Sequence, residues 1–334
     1  MRIALVSDAW RPQVNGVVRT LATVAGELTA MGHEIDPITP DRFYTLPCPT
    51  YPEIRLALAP RWSVARLLDK SKPDAIHIAT EGPLGVAARS YCLSRDLAFT
   101  TAYHTRFPEY VAARLFVPLR WTYAWLRRFH APSRSIMVAA PSIARELRAR
   151  GFDNIRPWTR GVDSDLFQPE RREELPDLPR PIFLTVGRVA VEKNVKAFLD
   201  IDLPGSKVVV GDGPQLEELQ RKHPDVRFLG RKEGADLARL YASADVFVFP
   251  SLTDTFGLVL LEALASGLPV AAFPVPGPMD VIGDAPVGRL DRDLRQAALG
   301  CLDFSPSACR EHALRFSWRN SAQQFLDNLA PAKN

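Results

Sequence analysis

From Phe183 onward the chain repeats one pattern: a short run of β-branched and aromatic residues, closed by Gly, Pro, Ser or Arg, then a helical stretch. The runs are FLTVGR, KVVVGDGP, VRFLG, VFVFPS and PVAAF. Strands apolar at every position must be covered on both faces, and helices that alternate with them supply that cover, which imposes a parallel sheet. The first half reads the same way. IALVSD precedes a helix from about Gly16 to Met31, AIHIAT a helix through Ala87, and FTTAYH helical stretches reaching Phe129; VAAPS with a helix to Arg150, and IRPWTRGVD, complete the series. Between the two series, QPERREELPDLPRP from Gln168 to Pro181 carries prolines and charges instead of periodicity. The prediction is an α/β protein of two tandem doubly wound domains, residues 1–167 and 168–314. A ligand then belongs at strand carboxyl ends, in the cleft between them.

Composition narrows the class. At 334 residues, 46% apolar and 24% charged, the chain can bury two ordinary cores. Cys48, Cys92, Cys301 and Cys309 show no metal or redox spacing, MRIALVSD reads as a first strand and not a signal peptide, and no apolar stretch is long enough to span a membrane. A reduced, cytoplasmic protein is the expectation. Residues 1–160 hold 22 Lys and Arg against 13 Asp and Glu, whereas residues 161–334 hold 20 against 25. A basic first half favours an anionic neighbour. Its densest basic and aromatic segment, Arg114 to Arg134, reads as a helix begun by Pro118 with Trp121, Trp125 and Phe129 on one stripe, which is either core or, with Arg120, Arg127 and Arg128, a contact for anionic lipid headgroups. RWSVARLLDK, from Arg61 to Lys70, has the same character, and no nucleic-acid motif is present.

The stretch SLTDTFGLVLLEALASG, residues 251–267, carries the sharpest chemical question. Thr253, Asp254 and Thr255 read as cap residues, and Gly267 with Pro269 as the helix stop, so Glu262 falls inside a short helix whose neighbouring positions are apolar. A buried carboxylate needs a partner, whether from the core or from a ligand. Other candidates sit at strand ends. In TVGRVAVEKN, Arg188 and Lys193 follow a strand and suit a diphosphate, Arg through its planar fork and Lys as a point charge. In VVVGDGPQ, Gly211 and Gly213 permit either close approach by a ligand or a tight turn. Gly16 precedes a helix whose amides could meet a phosphate, and His104 ends a strand, catalytic or merely satisfied.

GVVRTLATVAGELTAMGHE, AYHTRFPEY, GVDSDLFQP, VGRVAVEKN, VGDGP, LARLYASADVFVFPS and DTFGLVLLEALASGLPV stand in the order and spacing of family 4 glycosyltransferases, and over essentially the whole length the chain resembles these retaining enzymes. The resemblance implies a GT-B fold of two Rossmann-like domains facing a central cleft. It also implies that the last helix, here FSWRNSAQQFLDNL at about 315–330, packs back on the first domain. On the residues, it implies Arg188 and Lys193 on the donor diphosphate, Glu262 on the nucleotide ribose and Asp254 on hydroxyls of the transferred sugar. The backbone amides of Phe256, Gly257 and Leu258 would lie near sugar and phosphate, His104 near the sugar, and Arg231 near the base. The match is partial at Asn15 and Gly16, where many members have paired glycines, and Asp254 stands where Glu is commoner, so sugar preference cannot be copied from the majority.

The resemblance implies transfer of a hexosyl unit from a UDP- or GDP-sugar to a lipid or glycan acceptor with retention of configuration, WTRGVDSDLF looking most like members with lipid or mannosyl acceptors. Breaking the donor bond leaves a charged diphosphate, so stabilising it is the main task. DSD (163–165) and DRD (291–293) look like metal motifs, but both sit beside expected helix caps, and with Arg188 and Lys193 on the diphosphate no metal and no cofactor is expected. The alternatives are a GT-B nucleotide-sugar epimerase, which needs no acceptor, and a non-catalytic nucleotide-sugar-binding module. The expected place is cytoplasmic, peripheral at the inner face of a membrane.

Overall fold

The computed structural model describes residues 1–13, 15–48, 51–58, 60–106, 117–170, 175 and 177–333. They form two compact units, Met1–Arg160 with Trp318–Asn334, and Gly161–Ser317. The first contains β1 (Arg2–Val6), β2 (Glu34–Ile38), β3 (Thr45–Cys48), β4 (Tyr51–Ala57), β5 (Ala75–Ile78), β6 (Thr100–Tyr103), β7 (Ile136–Val138) and β8 (Ile155–Pro157). Its main sheet is parallel, in the order β2-β1-β5-β6-β7-β8, and β3 and β4 pair separately as an antiparallel hairpin. Alternation along β1 builds both covered faces. Ile3 and Leu5 pack with Leu21, Val24 and Leu28 of the helix Gly16–Ala30 and with Phe325, while Ala4 and Val6 pack with Val64, Leu68, Leu84 and Ala88.

The helix Trp318–Asn328 belongs to this first unit. Ala322 and Phe325 are its buried apolar residues, and its polar groups dress the edge strand: Trp158 Nε1 donates to Ser321 O at 3.1 Å, and Asn328 Nδ2 donates to Pro157 O at 2.8 Å. Burying a side chain the size of Phe325 contributes about 1.5–3 kcal/mol.

The second unit has β9 (Ile182–Val186), β10 (Ser206–Val210), β11 (Arg227–Phe228), β12 (Val246–Phe249), β13 (Val270–Ala272) and β14 (Gly288–Leu290) in a parallel sheet of order β11-β10-β9-β12-β13-β14. The unit spans Gly161–Ser317. The loop 161–167 is tied into it: Arg310 donates to Ser164 O at 2.8 Å and also to Phe167 O, and the Phe167 ring meets Tyr241 edge-on at 5.6 Å.

Two sequence expectations change. Glu34–Ile38 forms an unforeseen strand, and it lies at the sheet edge, where Pro37 removes a donor that an interior strand would need. The aromatic stripe of the helix Leu119–His130 splits. Phe129 is buried with Thr122, Tyr123 and Leu126, whereas Trp121 and Trp125 are 62% and 43% exposed. Part of the expected stretch before this helix, residues 107–116, lies outside the described residues.

Candidate active site

In the second unit, β9 delivers Gly187 and Arg188 at its carboxyl end, and the turn Val191–Lys193 follows. Asn194 takes a left-handed conformation at φ 53, and its Nδ2 donates to Pro250 O at 3.1 Å. Ser251 and Thr253 hydroxyls donate to Glu192 O at 3.4 and 3.2 Å. These bonds stitch the loop after β9 to the loop after β12, and they bring Lys193 Nζ to 2.5 Å from Asp254 Oδ1. Asp254 is therefore an ion-pair partner and not the helix cap that the sequence suggested. The cap is Gly257, whose φ of 85 only glycine adopts without strain, and which offers no side chain to the first-turn amides. Asp254 Oδ2 is buried and has no hydrogen-bond partner among the described residues, leaving one carboxylate oxygen to accept from a hydroxyl.

Glu262 is 3% exposed in the helix Leu258–Ala265, and the Tyr241 hydroxyl donates to its Oε2 at 3.1 Å. Sequence reasoning did not find Tyr241, because nothing in LARLYASADVF pairs that ring with an acid 21 positions away. Phe256 is buried and sets its ring edge-on to Phe316 at 6.4 Å, Gly257 caps the helix, and Leu258 begins it. Gly213 answers to the neighbouring loop. A Cβ there would stand 2.4 Å from Val189 O, and one at Gly211 would stand 1.8 Å from Gly187 O, so the two strand-end loops approach backbone to backbone. Arg231 is bound to Glu233, its Nε at 3.0 Å from Oε1, in a pair exposed on both sides.

In the first unit, His104 follows β6 and Arg160 follows β8, and Arg160 Nη2 meets His104 Nδ1 at 3.3 Å. Burial pushes the His104 imidazole well below its ordinary value, and the charge of Arg160 and then His77 push it the same way. Arg160 is 4% exposed; burial brings its guanidinium down to about 9, which keeps it charged at neutral pH. The sequence offered a usable signal for Arg160, since it follows a strand as Arg188 does. Gly16 opens the helix Gly16–Ala30, but Asn15 Oδ1 already accepts from the amides of Val17 and Val18, both at 3.0 Å, so two first-turn donors are engaged by the chain itself. Asp8 works likewise at another helix, accepting from the Leu84 amide at 2.9 Å and the Gly85 amide at 3.3 Å. Burial pushes its carboxyl up, against those bonds and the Thr80 hydroxyl.

The chain is similar to known proteins. The family profile described as Glycosyltransferase Family 4 matches residues 14–166, and that described as Glycosyl transferases group 1 matches residues 180–298. The chain is 32% identical to a GDP-mannose-dependent alpha-mannosyltransferase of Mycobacterium tuberculosis, over 89% of this chain and 87% of the relative. It is 28% identical to an alpha-monoglucosyldiacylglycerol synthase of Streptococcus pneumoniae, over 94% of this chain and 81% of the relative. Sucrose-phosphate synthase from Thermosynechococcus elongatus has a similar structure, with a TM-score of 0.75 at 22% identity, covering 98% of this chain and 97% of that one. The two parallel-sheet α/β units are those of the GT-B fold.

Proposed function

The chain belongs to glycosyltransferase family 4, and from that premise we propose that it moves a hexosyl unit from a UDP- or GDP-sugar to a lipid acceptor, with retention of configuration. The carrying observation is the Lys193–Asp254 pair, held by bonds between two strand-end loops. Two cations at the strand-end loops suit a diphosphate, Lys193 as a point charge and Arg188 through its planar fork. Asp254 Oδ2 accepts from a hydroxyl of the transferred sugar, and Glu262 accepts from the ribose diol while Tyr241 holds its other side.

In the reaction the bond from the sugar's anomeric carbon to the phosphate oxygen breaks, and a bond to the acceptor oxygen forms on the same face. The acceptor proton passes to the departing phosphate. Charge grows on that phosphate as the bond lengthens, and Arg188, Lys193 and the amides of Phe256, Gly257 and Leu258 answer it. In DSD and DRD the first and last acids turn to backbone amides: Asp163 Oδ1 accepts from the Asp165 and Leu166 amides, and Asp293 caps a helix, its Oδ1 accepting from the Arg295 and Gln296 amides. Turnover then needs no metal, and activity lost to a chelator and restored by Mg²⁺ or Mn²⁺ would overturn that.

The lipid acceptor is supported by exposed aromatic residues of the first unit. Trp62 is 68% exposed on the helix Arg61–Ser71, and Leu119, Trp121 and Trp125 are exposed on Leu119–His130 beside Arg120, Arg127 and Arg128. Exposed tryptophan flanked by arginine suits an anionic membrane surface. Among the described residues no helix is long and apolar enough to cross a membrane. Relatives named as transferases do not favour the epimerase or the binding-module reading. The test incubates the protein with UDP-glucose, UDP-galactose, UDP-glucuronate or GDP-mannose and vesicles of anionic lipid and diacylglycerol, following nucleotide release and lipid mass. A hexose added to lipid from one donor supports the reading; nucleotide binding without lipid product rejects the lipid acceptor.

A further inference from the structure

We infer that Arg160 is a positioning residue: it holds His104 as the neutral imidazole with its proton on Nε2, which makes Nε2 a standing hydrogen-bond donor toward the transferred sugar. The inference rests on the proposed function for what His104 meets, but the state of the ring follows from this chain's own geometry. Arg160 is 4% exposed, and none of the carboxylates among the described residues pairs with it. A buried guanidinium must be answered otherwise. Its Nη1 donates to Trp158 O at 2.6 Å and Thr159 O at 3.1 Å, its carbon lies 4.3 Å from the Trp158 ring centre, and its Nη2 faces His104 Nδ1 at 3.3 Å.

Guanidinium has donors only, so in that last contact Nδ1 is the acceptor. An imidazolium would set an N–H against a cation. The proton of the neutral ring is therefore on Nε2.

The arrangement is fixed from behind. Trp158 stands edge-on to His104 at 5.4 Å and to His77 at 5.9 Å, its own Nε1 is held by Ser321 O, and the Thr159 amide donates to Gln324 Oε1 at 2.9 Å. The helix Trp318–Asn328 thus clamps the strand end that carries Arg160. The charged and titratable groups that face His104 among the described residues are Arg160 and His77, and each disfavours a second proton on the ring. A ring so held donates to a sugar oxygen and does not take up the acceptor proton through Nε2. That role is left to the departing phosphate.

The test begins with the unaltered protein. Long-range ¹H–¹⁵N spectra of the ¹⁵N-labelled chain, with His104 assigned by its loss in His104→Gln, should show a protonated Nε2 and a bare Nδ1, unchanged from about pH 5.5 to 8, a window around the ordinary imidazole midpoint. A proton on Nδ1, or a titration midpoint inside that window, overturns the inference. Arg160→Met should release Nδ1, giving mixed tautomers and a midpoint moved up toward the ordinary value. It should lower kcat by about ten- to a hundredfold, as expected for one hydrogen bond to a charged group, with nucleoside diphosphate affinity unchanged. Arg160→Lys should restore the tautomer. A variant that loses turnover while His104 keeps its native spectrum also overturns the inference, and if Arg160→Met fails to fold, the native spectra decide. Native spectra as expected without any sugar transfer would sink the proposed function and leave this ring assignment standing.

Discussion

Lys193 Nζ lies 2.5 Å from Asp254 Oδ1, 61 positions along the chain, and the second oxygen of that carboxylate is buried with no hydrogen-bond partner among the described residues. The pair links the group expected to carry diphosphate charge to the group expected to read the sugar. Lys193→Ala removes the cation and leaves Asp254 uncompensated, so kcat/KM should fall by about 10²–10³, the usual cost of one preorganised donor at a developing anion. Asp254→Asn keeps shape and loses charge. It should lower kcat while nucleotide affinity is preserved, and an equal loss of nucleotide affinity in titration calorimetry would contradict the assignment to the sugar.

Glu262 gives a contrasting outcome. Glu262→Gln still accepts from the Tyr241 hydroxyl but loses the charge that strengthens bonds to a ribose diol, so nucleoside diphosphate affinity should drop by about ten- to a hundredfold. Tyr241→Phe should cost about 1 kcal/mol of stability from the lost bond and leave affinity within a few-fold. Nucleotide affinity unchanged in Glu262→Gln would remove the acid from the donor site.

Much of this arrangement was legible in the chain. Apolar runs such as KVVVG and VFVFP have few ways to be buried other than as parallel strands, and a charged or titratable residue beyond such a run is conspicuous, which is why Arg188, Lys193 and His104 stand out as candidates. Glu34–Ile38 was not legible because Pro37 argues against a strand, and only the finished sheet shows that it occupies an edge. Trp121 and Trp125 share a face, but periodicity tells which residues share a face and not whether that face is inward; burial of Thr122, Tyr123 and Leu126 decides it. The Tyr241–Glu262 bond and the Arg160–His104 contact are products of tertiary packing, and a residue's place after a strand does not tell which partner it meets.

The exposed tryptophans lead to a surface measurement. Trp121→Ser with Trp125→Ser should reduce partition onto anionic vesicles by about tenfold or more, since each ring is a large apolar contribution to interfacial binding. Nucleotide affinity should not change. Arg127→Gln with Arg128→Gln should weaken partition mainly at low ionic strength, because surface charge acts over a screening length of about 8 Å at physiological salt. Partition equal to that of the unaltered chain in both double variants would rule out this face.

His77 makes a pH prediction whose sign can be worked through. Full burial, and then the charge of Arg160, push the imidazole down from its ordinary value to about 3, while Nδ1 stays 2.9 Å from the Thr100 hydroxyl. In the unfolded chain the same ring takes a proton near pH 6.5. Between those two values the unfolded state binds more protons than the folded one, so stability rises with pH, is fully present above the unfolded value, and is lost as pH falls toward the folded one. The contribution approaches about 1.4 kcal/mol per pH unit once pH is well below 6.5. Urea unfolding at about pH 7 and 5 should therefore show a loss on acidification that is smaller in His77→Gln by about 1–2 kcal/mol, the share of one proton over that interval. His77→Gln has no titrating ring to carry that share, so an identical pH dependence in the two proteins would mean that His77 is not held neutral by the fold.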